Sequence, residues 1–209
     1  MKIKKFPQSH LVLSKNGKTL IIDPGYITFE KGFKVEDFQD ADVYLITHQH
    51  GDHLGPETIK EVVGEKIVLG NSDVVAKLKE IGVVNTKELK DLEEIEIEGF
   101  KIKAVDLPHF QKEGVVMPPN TGFLIDGVFF HPGDGDKAPE ITSANAAVPI
   151  GGATITYDSA LEFIKGIGAR VVIPIHYDVY KGDPLEFKKL ASNFGIDVRP
   201  LNFGEETEI

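Results

Sequence analysis

The stretch THQHGDHLG, residues 47–55, constrains this chain more than any other part of the sequence. Three of the seven histidines and one aspartate occupy six consecutive positions there, between an apolar run of strand length and a predicted helix. Three bulky polar residues in a tight turn would repel one another when protonated and would add nothing to an apolar core. A lone histidine at a strand end is usually a surface residue or a residue with its hydrogen bonds satisfied, but a cluster of this density predicts metal binding.

The other candidate ligands lie at the ends of predicted strands in the second half of the chain. His109 closes an alternating segment, His176 ends the apolar run in VIPIHY, and Asp134 follows a strand within HPGDGD. Side chains at strand ends converge on one edge of a sheet, so residues distant in sequence can meet there. The chain has no cysteine, so histidine and carboxylate side chains must hold any metal ion. His10 and His131, taken singly, fit a role near the metal and an ordinary role equally well.

Length and composition predict one globular domain, or one compact two-lobed domain, over residues 1–209, with enough chain for a substantial core. Hydrophobic residues make up 41% and charged residues 27%, which is ordinary for a globular protein. The net charge of −10 opposes binding of a long polyanion, although a small phosphorylated substrate is compatible with it. We expect a small-molecule substrate, no nucleic acid and no membrane as partners, with self-association left open.

Neither a membrane span nor a signal peptide is visible in the sequence. No apolar run approaches the roughly 20 residues that a membrane-spanning helix needs. The N-terminal stretch MKIKKFPQSH is interrupted at once by polar residues and lacks an apolar core. We therefore expect a cytoplasmic protein, and the absence of cysteine fits that compartment.

Short predicted strands and helices alternate along the chain. Strands 10–14 and 18–23 form a predicted hairpin around Asn16-Gly17, and further strands cover 42–47, 66–69, 94–105, 121–126, 128–131, 146–150, 171–175 and 196–199. Helices are predicted for 56–63, 72–81, 157–167 and 184–194. Antiparallel strands come first in each half and helices follow. This order predicts an α/β (α+β) fold of two sheets packed face to face with helices outside.

The motif THQHGDH resembles the HxHxDH motif of the metallo-β-lactamase-fold hydrolases, and this motif is highly specific for that superfamily. HPGDGD resembles the HAGDT-type segment of the same superfamily, although proline and glycine surround Asp134 where a small residue and threonine are commoner. PNTGFLID, VPIGG and VIPIHY are similar to a narrower branch that includes ascorbate-6-phosphate lactonase and uncharacterised metal-dependent hydrolases. The resemblance runs from about Ser9 to Tyr180 and implies a four-layer αββα sandwich.

The resemblance also implies two metal sites with seven ligands. One site would use His48, His50 and His109, and the other would use Asp52, His53 and His176, with Asp134 bridging both. Two divalent ions are implied as cofactors, with zinc, manganese or iron as candidates, because nitrogen and oxygen ligands suit all three.

Such a dinuclear centre would supply the chemistry of a metal-dependent hydrolase. Two nearby cations lower the pKa of a shared water and generate a hydroxide nucleophile, while one of them polarises the group under attack. Asp52 is the predicted catalytic residue, since it could orient that hydroxide or accept its proton. Asp23 has two interpretations: its carboxylate supports a ligand histidine, or the Asp-Pro-Gly step forms a turn.

Four further residues are candidates for substrate binding: His10, Asn120, His131 and Tyr177. Each could donate a hydrogen bond near the metals, and His10 is similar to a histidine on an N-terminal loop of related hydrolases. The alternatives are structural, because Tyr177 could pack in the core and Asn120 could cap a turn.

Three classes of function compete at this level. The first is a hydrolase of a small-molecule lactone, ester or phosphodiester, and the branch resemblance favours a lactone or a phosphorylated metabolite. The second is a di-iron redox enzyme on the same fold, which usually has an acidic residue where this chain has His50. The third is a non-catalytic metal-binding scaffold, which would be expected to have lost ligands. We expect the hydrolase, because all seven ligand positions are filled.

Overall fold

In the computed structural model, which describes residues 1–209, the chain forms two compact units. The first unit comprises Met1–Lys90, Glu96–Phe100 and Leu201–Ile209. The second unit comprises Asp91–Ile95 and Lys101–Pro200. The chain forms two seven-stranded mixed sheets, and each unit has a hydrophobic core of its own.

The chain has fourteen strands and six α-helices. The strands are β1 (Lys2–Lys5), β2 (Leu11–Lys15), β3 (Lys18–Ile22), β4 (Val43–Leu45), β5 (Ile67–Gly70), β6 (Thr86–Glu88), β7 (Glu94–Ile97), β8 (Phe100–Leu107), β9 (Asn120–Ile125), β10 (Phe129–His131), β11 (Asn145–Pro149), β12 (Val171–Ile175), β13 (Asp197–Val198) and β14 (Glu206–Glu208). The helices are α1 (Tyr26–Glu30), α2 (Gly51–Leu54), α3 (Ile59–Val63), α4 (Ser72–Glu80), α5 (Tyr157–Ile167) and α6 (Pro184–Ser192), with a 3₁₀ helix at Val35–Phe38. None of the helices combines the length and apolar character needed to cross a membrane.

The first sheet has the strand order β14-β1-β2-β3-β4-β5-β6. Strands β14, β1, β2 and β3 pair antiparallel, whereas β3 to β6 pair in parallel. Asn16 and Gly17 join β2 to β3 with φ angles of +50° and +76°, the left-handed conformation that favours this pair in a two-residue hairpin. The parallel strands β3 and β4 end at the same sheet edge, and the chain leaves that edge at the histidine cluster.

The core of the first unit fixes the helices around this sheet. The Asn71 side chain caps α4 by accepting a hydrogen bond from the Val74 backbone N–H at 3.0 Å. Val74 and Leu78 on the buried face of α4 join a core that includes Phe38 and Tyr44. The fully buried Tyr44 ring reaches across this core and its hydroxyl donates to the Phe38 carbonyl oxygen.

The second sheet has the order β13-β12-β11-β10-β9-β8-β7. Strands β8, β9 and β10 pair antiparallel, and β10 to β13 pair in parallel. Helix α5 begins after Thr156, whose hydroxyl accepts from the Ser159 N–H at 3.1 Å, and ends at Gly168 with φ +72°. Its apolar face packs on the core of the second unit.

The predicted α+β class and most predicted elements are confirmed, and α5 and β12 match their predicted ranges. The helix predicted for 56–63 was wrong at its start. Gly55 ends α2 in the left-handed region at φ +57°, and α3 begins only at Ile59. Elements of three to five residues leave little periodic signal, so six of them were not predicted from the sequence: β1, α1, α2, β6, β14 and the 3₁₀ helix.

Candidate metal centre

β4 leads directly into the histidine cluster. His50 is the N-cap of α2, and its carbonyl oxygen accepts a hydrogen bond from the His53 N–H at 3.0 Å. Asp52 and His53 therefore share one helical turn, while His48 lies in the connecting loop. The side chains of His48 and His53 are fully buried, so neither is a surface histidine.

Asp23 anchors this cluster from the end of β3. Its buried carboxylate accepts hydrogen bonds from the Thr47 N–H at 2.8 Å, the Thr47 hydroxyl at 2.7 Å and Nδ1 of His53 at 2.7 Å. The Asp23 carbonyl oxygen also accepts from the Gly25 N–H at 2.8 Å, which forms a turn. The turn interpretation of Asp23 is therefore confirmed, and its carboxylate also fixes His53 with Nε2 pointing away from it, while the role of His53 as a metal ligand stays a prediction.

Thr47 extends this anchoring to His48. The Thr47 hydroxyl proton is used in the bond to Asp23, so the hydroxyl oxygen accepts from Nδ1 of His48 at 3.1 Å. A proton on Nδ1 leaves a lone pair on Nε2 of His48, which accepts a hydrogen bond from Nδ1 of His50 at 3.0 Å. Two imidazole nitrogens of one loop thus converge at a spacing that suits a shared cation.

Gly25 allows the chain before α1 to pass against α2. A Cβ atom at this position would lie 1.8 Å from the Asp52 carbonyl oxygen and 2.6 Å from the His53 backbone nitrogen. No larger residue fits without moving the backbone that carries both side chains. The Asp-Pro-Gly step signals a turn, but it carries no signal for this close approach.

Gln8 contacts the proposed ligand Asp52 and was not predicted from the sequence. It is fully buried with φ +58°, and its side-chain amide donates to Oδ2 of Asp52 at 3.2 Å. That carboxylate oxygen lies 3.9 Å from Nε2 of His53. The Pro7-Gln8 step before a predicted strand was the only available signal, and it indicates a turn without indicating a buried amide.

In the second unit, the loop after β10 carries Asp134. An isolated β-bridge pairs His109 with Gly135, and the Phe110 N–H donates to the Asp134 carbonyl oxygen at 3.0 Å. Oδ1 of Asn120 accepts from the Asp134 N–H at 3.1 Å. These contacts place Nε2 of His109 3.4 Å from Oδ2 of Asp134.

His176 reaches the same carboxylate from the end of β12. It has φ +59°, and its Nδ1 donates to the Gly151 carbonyl oxygen at 2.7 Å. A Cβ atom at Gly151 would lie 2.6 Å from the His176 carbonyl oxygen, so glycine is required there. Nε2 of His176 lies 3.3 Å from Oδ2 of Asp134. The VPIGG and VIPIHY segments therefore act together to orient one imidazole.

The donor chemistry in both units fits a divalent metal ion. Nδ1 of three histidines donates to a protein oxygen, so that Nε2 presents a lone pair: His53, His109 and His176. For His109 and His176, that lone pair faces an oxygen of Asp134, and two electron-rich atoms at this separation need a cation or a proton between them. Imidazole and carboxylate ligands without thiolates suit zinc, manganese or iron.

Two of the predicted substrate-binding residues hold the Asp134 loop. The Asn120 amide donates to the Pro132 carbonyl oxygen at 2.9 Å, and Nδ1 of His131 accepts from the Gly133 N–H at 3.1 Å. Both side chains are buried. These are the structural roles that the sequence analysis offered as alternatives, and a role in substrate binding stays a prediction.

The other two predicted substrate-binding residues lie in apolar surroundings. His10 is fully buried, stacks on Phe6 at a ring-centroid distance of 4.9 Å, and has Nδ1 3.0 Å from the Thr28 hydroxyl. Tyr177 packs on the core of the second unit, and burial, followed by the charge of Asp178, raises the pKa of its phenol. Substrate binding by His10 and Tyr177 also stays a prediction.

This fold and this arrangement of histidines and aspartates define a metallo-β-lactamase-fold protein. Residues 2–176 match the β-lactamase superfamily domain family, and the chain belongs to that family. A metal-dependent hydrolase of the UPF0173 group from Thermoplasma volcanium is 32% identical over 227 aligned positions, covering 100% of both chains.

Solved structures agree with this fold. Igni18, a metallo hydrolase from Ignicoccus hospitalis, is 24% identical with a TM-score of 0.75, covering 100% of this chain and 98% of its own. The metallo-β-lactamase fold protein YhfI from Bacillus subtilis is 16% identical with a TM-score of 0.71, covering 100% and 98%. The matches confirm the predicted fold and the predicted class, a metal-dependent hydrolase. The narrower lactonase branch and the cytoplasmic location stay predictions.

Proposed function

We propose that the chain hydrolyses a small-molecule lactone, ester or phosphodiester with a dinuclear centre of divalent metal ions. One observation carries this proposal: Nε2 of His109 and of His176 both lie within 3.4 Å of the same Asp134 oxygen, while Nδ1 of each is held by a carbonyl oxygen. Imidazoles held in this way have no donor left for the carboxylate unless they are protonated. Two cations bound to Asp134, one beside each imidazole, would satisfy all three groups.

The proposed ligand sets follow the sequence prediction, with the whole chain acting as one domain, residues 1–209. One ion would be held by His48, His50 and His109, the second by Asp52, His53 and His176, and both by Asp134. Zinc, manganese and iron are the candidate ions. The first unit supports this proposal through the convergence of His48 and His50, and the second unit supports it through the Asp134 contacts.

The residues around the centre orient the ligands and accept the proton of the attacking water, and none of them forms a covalent bond to the substrate. When bound, two divalent ions supply an acidified water and a Lewis acid for the group under attack. Asp52 accepts the proton of the attacking water through one carboxylate oxygen, while Gln8 holds Oδ2 of that carboxylate. Asp23 keeps His53 in the tautomer that leaves Nε2 unprotonated.

Metal analysis and a substrate panel test this function. Purified protein should carry close to two divalent ions, and a chelator should abolish hydrolysis of lactones, esters or phosphodiesters, with recovery on adding metal. Asp52→Asn should lower turnover strongly, and Asp134→Asn should lower metal content. Asp158→Asn, at an exposed position on α5, is the matched control and should keep both.

The panel should include single-stranded and structured RNA at matched metal content. Metal-dependent RNA cleavage without turnover of any small molecule would contradict the proposed substrate class. Failure to take up metal even after reconstitution would contradict the dinuclear centre. Full activity of Asp52→Asn would remove the role given to that carboxylate.

A further inference from the structure

A groove of about 510 Å³ lies in the first unit beside the histidine cluster. This volume is in the range of small-molecule sites. Gly51 forms part of its wall, and Gly51 is the residue between His50 and Asp52. Neither His50 nor Asp52 lines the groove, so what relates the groove to these side chains is the wall residue between them.

Tyr26 connects the groove to the histidine cluster. Its ring packs against Gly51, where a Cβ atom would lie 3.3 Å from Cδ1 of the ring. The phenol is partly exposed, and burial, followed by the negative charges of Asp52 and Glu30, raises its pKa. The ring is thus within electrostatic reach of the proposed catalytic carboxylate.

The remaining lining has apolar surface and negative charge. Phe29 and Pro56 add apolar contacts beside the Tyr26 ring, and Glu30 and Glu57 add two exposed carboxylates. The lining contains no lysine, arginine or histidine. Aromatic faces and carboxylates both attract an alkylammonium group, whereas a phosphate here would meet repulsion without a compensating cation.

We propose that this groove binds the part of the substrate that is not cleaved, and that this part is an apolar group carrying a positive charge. The proposal rests on the proposed hydrolase function and narrows its substrate class. Esters or lactones with an alkylammonium group become the preferred substrates, and phosphorylated metabolites become poor ones. Tyr26 and Phe29 provide the contact surface, and Glu30 and Glu57 provide the charge selectivity.

A matched series of thioesters tests the charge selectivity. Acetylthiocholine, its uncharged carbon isostere and a sulfonate-bearing analogue of similar length contain the same reacting bond. The thiol released can be measured with a thiol reagent, and the protein adds no background because it has no cysteine. The metal-loaded enzyme should show kcat/KM about 10-fold higher for the cation than for the uncharged isostere, and lowest for the sulfonate.

Charge-removing variants assign this preference to the groove. Glu30→Gln and Glu57→Gln should each lower kcat/KM for the cation about 3-fold, with the uncharged isostere unchanged. Added salt should reduce the preference of the unaltered protein. Glu162→Gln, at an exposed position on α5, is the control and should match the unaltered protein. Equal rates for all three thioesters, or equal effects of the variants on all three, would overturn the proposal.

A binding measurement separates this proposal from the hydrolase function. Benzyltrimethylammonium should shift the backbone amide signals of Gly51 and Thr58 in NMR spectra of the metal-loaded protein, and benzenesulfonate should not. If no panel substrate is hydrolysed, the proposed function fails, but this measurement still tests the groove. Absence of shifts with the cation, or equal shifts with the anion, would overturn the charge selectivity.

Discussion

Asp23 and His53 are joined by a 2.7 Å hydrogen bond between Oδ2 of the carboxylate and Nδ1 of the imidazole. Both side chains are fully buried. The same carboxylate binds the Thr47 hydroxyl, whose oxygen contacts Nδ1 of His48. One aspartate that is not a proposed ligand therefore orients two proposed ligands.

Asp23→Asn should weaken metal binding about 10- to 100-fold. The asparagine keeps one carbonyl acceptor but loses the charge and the second acceptor oxygen, so it cannot hold both His53 and Thr47 as the carboxylate does. Zinc affinity measured by competition with a chromogenic chelator checks this. Asp158→Asn should bind zinc as the unaltered protein does, and unchanged affinity in Asp23→Asn would contradict the orienting role.

Gly25→Ala should impair both stability and metal binding. The added methyl group would meet the Asp52 carbonyl oxygen at 1.8 Å and displace the backbone of α2. Gly17→Ala is the comparison, because its φ of +76° makes alanine strained by about 1–2 kcal/mol while the surrounding space is open. Urea unfolding and metal analysis should show lower stability in both variants and metal loss in Gly25→Ala alone. If both variants lost metal, the loss would result from general instability and not from the contact between position 25 and α2.

Gln8→Ala should lower kcat about 10-fold with the metal content unchanged, because a hydrogen bond to a charged group is lost. Oδ2 of Asp52 would lose the amide donor that lies at 3.2 Å and would no longer be held in one orientation. Gln8→Glu should be worse, since it places a second negative charge beside that carboxylate. The control is Gln39→Ala, because the Gln39 side chain donates to the Glu61 carbonyl oxygen at an exposed position. This variant should keep full turnover. Loss of metal in Gln8→Ala would contradict a purely orienting role.

Tyr44 should make the protein sensitive to alkaline pH. Burial raises the pKa of its phenol to about 12 from 10.0, so the folded state holds the proton more tightly than the unfolded state. This contribution to stability is complete below pH 10.0, falls as the pH rises from there, and is lost at about pH 12. The loss should amount to about 2 kcal/mol. The free energy of unfolding, measured with urea across this pH range, should fall less steeply for Tyr44→Phe than for the unaltered protein. Parallel pH dependences of the two proteins would contradict this role of Tyr44.

Elements with strong local signals could be predicted from the sequence. The apolar spacing of α5 lies between a capping threonine at position 156 and Gly168, so its ends and its buried face are encoded locally. The Asn16-Gly17 hairpin is local for the same reason, since the two residues accept the left-handed backbone that the turn requires. The start of α3 was misplaced because Pro56 signals a first helical turn whether or not the chain continues as a helix.

The sequence by itself determined the kind of chemistry: a histidine and aspartate cluster with no cysteine, in a pattern typical of metal-dependent hydrolases. Only the tertiary structure decided how these side chains are held. Asp23 meets His53 across 30 positions, Gln8 meets Asp52 across 44, and Gly151 meets His176 across 25. Such contacts depend on sheet register and on close backbone approach, which local propensity does not encode. Hydrogen-bond partners that fix a tautomer are therefore visible only when the folded chain brings the strand ends together.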